Sequence, residues 1–447
     1  QPPAIQVKTS QPGVAAGDVF LTPNPTLGLA TRAQSGPMIV DNRGNVVWFS
    51  PHKPASTLDF SMQQYDGRPV LSWFEGQIRS AGYGDGDFVL ADDTYREIAR
   101  IRAANGYLAD IHDFLITPQN TALLIAYNPV VATARSIGRV YDRVVDDAVI
   151  QEIDIPTGAV LFEWHSLGTI DLNDSYLPQP AKTSDPYDYM HPNSIALDAD
   201  GNIWLSARHT WTVYKIDRVT GAVYWRLGGK RSNFKMGDGT QFAWQHDARP
   251  RGGDRVSIFD NEASAPGVAS SDRSRGLVLA VDESRMTVSL VRADDNPQHA
   301  LALSQGDFQQ LPNRDFLAGW GSVPEYTEFG PKGAVLLDAN IIGGSASYRA
   351  FRFAWHGHPS APPDAVARTD ASGLTVFASW NGATDVVRWR VSAGADRSAL
   401  QRAGSFATTG FETKMTMPAP SGAHVVRIEA MSDDGRVLGT SRAITVH

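Results

Sequence analysis

Runs of roughly four to eight residues in which apolar and polar side chains alternate recur along most of this chain. They are broken at Asp-Gly, Gly-Asn or Thr-Gly. The stretches IALDADGNIWLSAR (195–208) and WTVYKIDRVTGAVYWRLGG (211–229) show it most clearly. Alternation with a turn signal between runs predicts half-buried antiparallel strands joined by tight hairpins. Helix-period patterning is almost absent, with one weak candidate around residues 135–148. The first 20 residues are rich in Pro, Gln and Gly and predict an arm or an early strand.

The hairpins repeat. GPMIVDNRGNVVWFS (36–50) matches SIALDADGNIWLSAR (194–208) at its Asp, Gly-Asn and Trp positions, and IDIPTGAVLFEW (153–164) matches IDRVTGAVYWRL (216–227). Looser copies begin at Asp113, Ala248, Gly276 and Asp307. One small sheet cannot bury both its faces, so repeated hairpins imply radial stacking of such sheets. The expectation is an all-β chain in which residues from about 20 to 360 form a β-propeller; at roughly 40–50 residues per blade, six blades are favoured over seven because several connections are long.

At Pro359-Ser360-Ala361-Pro362-Pro363 the texture changes. The remainder holds about seven short alternating runs with Trp380 and Trp389 near the middle, a pattern that fits a small fibronectin-III or immunoglobulin-like β-sandwich. The predicted division is therefore 1–360 for the propeller with its N-terminal arm and 361–447 for the sandwich.

Composition narrows the field. A net charge of −8 and a pI near 5.8 speak against nucleic-acid binding, which needs basic surface. The chain has 0 cysteines, which removes disulfides, thiolate nucleophiles and Cys-ligated metals. No apolar run approaches the roughly 18 residues of a membrane span. With a start at Gln1 rather than Met, the expectation is a mature secreted chain.

Chemistry in such a scaffold comes from inner strands and loops that converge on the axis. His112 lies between Asp110 and Asp113, either of which can fix its tautomer and raise its basicity; a turn-closing role is equally open. His191 and Asn193 are two apart in an extended run and so face one side, where an imidazole and an amide can hold an oxygen-rich group. Arg208 ends the strand WLSAR with a planar fork suited to sulfate, phosphate or carboxylate, whereas the adjacent His209 is expected to face away as a structural residue. His246 follows a Gly-rich loop, flanked by Gln245 and Asp247. No HExxH or short His-x-His triplet marks a metal centre in the propeller, and His356-Gly357-His358 falls at the hinge; no metal and no cofactor are expected.

Taken together, DIHDF (110–114), TALLIAY (121–127), HPNSI with SARHT, WRLGGK (225–230), FAWQHDA (242–248), FDNEA (259–263) and LPNRDFLAGWG (311–321) resemble the arylsulfotransferase family, in its actinobacterial and fungal branch. SWFEG (72–76) and SYRAFRFAW (347–355) are similar to that branch as well. The resemblance implies a six-bladed propeller that moves a sulfuryl group from one phenol ester to another phenol, without the nucleotide sulfate donor of cytosolic sulfotransferases. It further implies that His246 is the covalent nucleophile, that His191, Asn193, His112 and Arg208 hold the sulfate oxygens, and that the substrates are a small aromatic sulfate ester and a phenolic acceptor. The better-described bacterial branch carries an N-terminal sandwich and a cysteine pair; here the sandwich is expected at the other end and cysteine is absent.

Two other readings stand beside it. Propellers also host glycoside hydrolases and polysaccharide lyases, for which Glu75, Asp110, Asp113, Asp247, Asp260 and Glu262 supply acid and base, and Trp73 and Trp244 supply sugar-stacking faces. The third reading is a non-catalytic propeller that binds glycan or protein.

Overall fold

The computed structural model describes residues 1–25, 33–52, 56–79, 82–136, 139–262, 273–370 and 373–447. It is all-β, and among the described residues a single 3-10 turn at Leu172–Asp174 is the one helical element. Of the helix-like patterning at 135–148, residues 139–148 belong instead to the strand Arg139–Asp154, 135–136 end its partner Thr121–Ser136, with which it pairs residue for residue, and 137–138 lie outside the described residues. Cross-strand pairing over that length satisfies the backbone that a helix would otherwise satisfy internally, and the side chains of 134–141 are outside the described residues.

Among the described residues the strands before residue 354 form five sheets that divide into six groups, antiparallel except for the short parallel pairing of Lys235–Met236 with Thr287–Asp295. Their first strands are Ser345–Phe353, Ser56–Tyr65, Ala109–Ile116, Pro192–Leu197, His246–Pro250 and Asp307–Gln310. Each touches the next in that sequence, and the last touches the first. The second and third groups are joined into one sheet by the single pairing of Gly86 with Ala109.

The two ends of this region are stitched together. Asp18–Pro25 pairs antiparallel with Ser345–Phe353, so the first group draws strands from both ends of the sequence. Ile5–Ser10 adds an outer edge to the last group by pairing with Val335–Ile341. The predicted N-terminal arm thus gives one strand and the start of another: Ile5–Ser10 edges a sheet built from residues 307–341, and Asp18–Pro25 lies between Ser345–Phe353 and its own neighbour Met38–Val40.

The turn chemistry read in the sequence is used as expected. Asp198 Oδ1 accepts from the N–H groups of Asp200 and Asn202, and Gly201 takes φ 82°. Asp217 Oδ1 does the same for Val219 and Thr220, with Gly221 at φ 74° and its carbonyl accepting from Trp164 Nε1. A Cβ at Gly221 would stand 3.2 Å from the Trp164 ring, which ties the third group to the fourth through a glycine.

The core lies between adjacent groups. Leu123, Ile125 and Ile150 pack on Ile195, Leu205 and Tyr214 across one seam, and Trp204, Val213 and Leu227 pack on Val256, Ile258 and Leu279 across the next. Each such side chain contributes about 1.5–3 kcal/mol on burial. These seams hold the inner strands at fixed spacing, so polar residues at their ends are placed by the scaffold rather than by loops.

Residues Asp364–Asp370, Gly373–Ser379 and Glu412–Met417 form a three-stranded sheet. Gln401–Ala407, Arg388–Gly394, Val425–Met431, Val437–Thr440 and Ile444–Thr445 form a second sheet. Leu374, Val376 and Met415 of the first share a core with Trp389, Val391 and Ile428 of the second.

Candidate active site

Four imidazoles and one guanidinium gather where inner strands begin or end. His112 stands in Ala109–Ile116, on the same side as Asp110 because the two are two residues apart in a strand. Its Nδ1 lies 2.5 Å from Asp110 Oδ2, and Asp110 Oδ1 accepts from the Gly84 N–H. Asp113, one residue on, points elsewhere and bonds the guanidiniums of Arg349 and Arg249. Of the two carboxylates flanking His112, only Asp110 serves it.

His191 precedes its strand with φ 52° and donates from Nδ1 to the Asp188 carboxylate. Its ring centroid is 4.7 Å from that of His112 and 4.6 Å from that of His209. His209 donates from Nδ1 to the Asp188 carbonyl and accepts at Nε2 from Arg208 Nη1 at 3.0 Å. Asp188 therefore sets the tautomer of two imidazoles, one with its side chain and one with its main chain. The expectation that His209 faces away is corrected. The strand ends at Ala207, residues 208–211 turn, Trp211 takes φ 50°, and strand alternation no longer applies to the pair.

Arg208 also donates to the Leu303 carbonyl at 3.0 Å, and its guanidinium lies 4.9 Å from the centroid of a Trp244 ring. Burial lowers its pKa to about 10, so it stays cationic at neutral pH. Its Nε is buried and has no hydrogen-bond partner among the described residues.

His246 opens Pro-containing strand His246–Pro250 and is 1% exposed. Asn261 Oδ1 lies 2.7 Å from its Nδ1. The Asn261 Nδ2 donates to the carbonyls of Ala302 and Gln305, so the amide oxygen is the atom that faces the imidazole and His246 Nδ1 must carry the proton. The Nε2 lone pair accepts the Gln305 N–H at 3.2 Å, a long bond from a residue held at φ 68°. Burial, then the charge of Arg208, holds the His246 pKa well below its ordinary value. It is a neutral imidazole whose one lone pair is on Nε2, covered by the Gln305 N–H.

Asn193 is fully buried; its Nδ2 donates to the Gln245 carbonyl at 2.7 Å and its Oδ1 has no partner among the described residues. A bulge between Pro192 and Ser194 breaks the strict same-side relation to His191 read from the sequence. Asp146 is buried as well. It is 0% exposed, no hydrogen bond of good geometry reaches its carboxylate among the described residues, and burial followed by the charge of Asp188 raises its pKa to about 7 against a smaller opposing pull from the Tyr83 hydroxyl.

The carboxylates proposed for carbohydrate chemistry are dispersed and engaged. Glu75 bonds Arg100 and Trp73 Nε1, and Trp73 is buried in an aromatic cluster with Trp48 and Phe60. Asp260 and Glu262 both meet Arg275, and burial followed by Glu262 pushes the Asp260 carboxyl up to about 7. Burial alone would raise Asp247, but Arg249 and Arg349 outweigh it and bring the carboxyl down to about 2. Asp113, Asp247, Arg249 and Arg349 line a separate cavity of about 200 Å³ that none of the four histidines borders. Trp244, 1% exposed, offers no open stacking face. Ala263 of the FDNEA motif lies outside the described residues.

Sequence reasoning missed Asp188, His209, Asn261 and Asp146. Asn261 sat inside a quoted motif, FDNEA, without a role. Asp188 lies three residues before His191, a spacing that a turn brings together but an extended reading separates. One oxygen of Asp188 and one nitrogen each of His191 and His209 lie within 4.8 Å of one another, a spacing compatible with a cation. Both rings already donate their Nδ1 protons to Asp188.

The arylsulfotransferase (ASST) family model matches residues 61–341, and the chain belongs to that family. Membership supports sulfotransferase activity in general terms. No curated protein matches the chain. Among solved structures it is similar to a protein of unknown function from Bacteroides caccae, at 13% identity and TM-score 0.44, covering 75% of this chain and 98% of that one. It is also similar to virginiamycin B lyase from Staphylococcus aureus, solved inactive with quinupristin, at 9% identity and TM-score 0.34 with 85% and 96% covered. A GH43 protein from Bacillus licheniformis gives 10% identity and TM-score 0.36 with 86% and 89% covered. Likenesses of this strength leave the activity open.

Proposed function

We propose that this chain is a secreted aryl sulfotransferase, independent of nucleotide sulfate donors, that passes a sulfuryl group from a phenolic sulfate ester to a phenolic acceptor through His246. We read residues 1–360 as a six-bladed propeller and 361–447 as a fibronectin-III/immunoglobulin-like sandwich. The ring of first-strand contacts and the two facing C-terminal sheets support that reading.

In the first half-reaction the His246 Nε2 lone pair attacks sulfur as the sulfur–oxygen bond to the aryl group breaks. The phenolate leaves as an anion, and Arg208 meets the charge on the sulfuryl oxygens. The Gln305 N–H must move off Nε2 first, and its 3.2 Å length makes that a small loss. In the second half-reaction the acceptor hydroxyl attacks sulfur and the nitrogen–sulfur bond breaks. The hydroxyl proton goes to His191.

His191 suits that task better than oxygen binding. Its Nδ1 proton is committed to Asp188, and burial followed by the charges near it keeps it neutral, so Nε2 offers a lone pair rather than a proton. The second N–H of the Asn193 amide remains to contact sulfate oxygens, and His112, its Nδ1 held by Asp110, contacts them only through an Nε2 that carries a proton.

The observation that carries the reading is the Asn261 lock on His246, which leaves one nucleophilic nitrogen beside a buried guanidinium. Turnover of 4-nitrophenyl sulfate that rises on adding phenol tests it. Release of reducing-end or unsaturated sugars from a polysaccharide, with no aryl sulfate turnover, would replace it by the carbohydrate reading.

A further inference from the structure

A cleft of about 560 Å³ lies between the fifth and sixth strand groups and borders none of the four histidines. Three hairpin turns surround it, at residues 251–255, 311–315 and 330–334. Each is closed by a backbone hydrogen bond of 2.8 Å, from the Arg251 N–H to the Arg255 carbonyl, from Leu311 to Asp315 and from Gly330 to Ala334. Turns closed in this way hold their residues in place before a ligand arrives. His246 opens the strand His246–Pro250 and Arg251 follows its end, so the cleft sits at the far end of that strand from the proposed nucleophile.

Five cations line this cleft, Arg251, Arg255, Arg292, Arg314 and Lys332, against the one carboxylate of Asp294. In a chain of net charge −8 such a concentration runs against the general character of the surface. Arg292 is engaged: its Nε meets the Asp294 carboxylate, and its Nη2 donates to the Gly330 carbonyl at 2.7 Å. The other four meet no carboxylate. Arg255, Arg314 and Lys332 are exposed, and their side chains make no hydrogen bond or ion pair among the described residues. Arg251 is half-buried; its Nε donates to Ser257 Oγ at 2.7 Å and its Nη2 to the Phe308 carbonyl at 3.0 Å, while its Nη1 has no partner among the described residues and keeps access to solvent. Burial lowers its pKa to about 10, against the opposing charge of Asp247, so it is cationic at neutral pH.

We infer that this cleft binds a small, non-aromatic polyanion carrying two or more sulfate, phosphate or carboxylate groups. A ligand reaches Arg255, Arg314 and Lys332 directly, because all three are exposed in the lining. Guanidinium forks match the edges of oxyanions, and several cations held around one space favour a ligand with several charges over a single ion. The volume is that of a small-molecule site. Phe316, the one aromatic side chain in the lining among the described residues, is stacked on Phe308 at 4.6 Å and covered by the Arg292 guanidinium at 4.7 Å. No open ring face is left for a nucleobase or an aryl ester.

The test is calorimetric titration of the full-length protein with sodium tripolyphosphate, a trisulfated heparin-type disaccharide, trigalacturonate and, as a contrast, inorganic sulfate, each at low and at high salt. The expected result is saturable binding of at least one polyanion, about tenfold or more tighter than sulfate, weaker at high salt, and about tenfold weaker in the double variant Arg255→Ala/Arg314→Ala. Tightest binding of tripolyphosphate supports a phosphate ligand, and tightest binding of either saccharide supports an acidic glycan. Both substitutions fall on exposed residues, and an unchanged melting temperature confirms that the variant is folded. No saturable binding of any polyanion, binding undiminished in the double variant, or sulfate binding as tightly as the polyanions would each overturn the inference.

Discussion

Asn261 Oδ1 accepts the Nδ1 proton of His246 at 2.7 Å, and the orientation of its amide is itself fixed by two carbonyls of the 302–305 loop. The same loop supplies the N–H that covers Nε2. One asparagine therefore decides which nitrogen of His246 is nucleophilic and which part of the chain guards it.

Replacing that amide by a carboxylate gives the first prediction. Burial and Arg208 hold His246 neutral in the native protein; the carboxylate of Asn261→Asp favours the imidazolium and raises that pKa. The acidic limb of the pH–rate profile moves to higher pH, with loss of turnover near neutrality. An unmoved limb would mean that His246 is not the titrating group.

Asp188 organises His191 and His209 together. If His191 receives the acceptor proton, Asp188→Asn slows transfer to phenol by roughly 10²–10⁴-fold while leaving the first release of 4-nitrophenol much less affected. Rapid-quench measurement of the two phases separates them. Equal slowing of both phases contradicts a role confined to the acceptor step.

Asp146 bears on stability. Its folded-state pKa of about 7 stands above the ordinary 3.8, so the folded protein holds a proton that the unfolded chain loses between those values. The stability it contributes is fully present at low pH and is lost as pH rises through about 7. Asp146→Asn does not titrate, so its melting temperature exceeds that of the native protein by more at pH 8 than at pH 5. A constant difference across that range would show that the carboxylate is better solvated than its burial implies.

The proposed chemistry uses imidazole, guanidinium and amide groups of the chain. Turnover is expected to survive exhaustive dialysis against EDTA, despite the Asp188, His191 and His209 grouping. Loss on chelation with recovery on adding zinc, manganese or calcium would assign that grouping to a cation.

The all-β character and the tight turns were legible because alternation and Asp-x-x-Gly or Thr-Gly turns are local. So were His112, His191, Arg208 and His246, which sit in distinctive motifs. What escaped is what depends on where strands stop. Placing Arg208 in the strand sends its neighbour His209 to the other side, but the strand stops at Ala207; and alternation sends Asp113 away from His112 to Arg349. Asn261 and His246 are 15 residues apart and meet only because Arg255–Asp260 returns alongside His246–Pro250. Asp146 had no sequence signal, since its state is set by burial and by Asp188 on a distant segment.

The central claim is that His246 carries the sulfuryl group. Enzyme mixed with 4-nitrophenyl sulfate, without acceptor, and quenched before hydrolysis is digested and examined by mass spectrometry. The account predicts an acid-labile mass gain of one sulfuryl group on the peptide containing His246, absent in His246→Ala, which also loses turnover while keeping its fold. A label on His112 or His191 would move the nucleophile. Normal aryl sulfate turnover by His246→Ala would contradict the account outright.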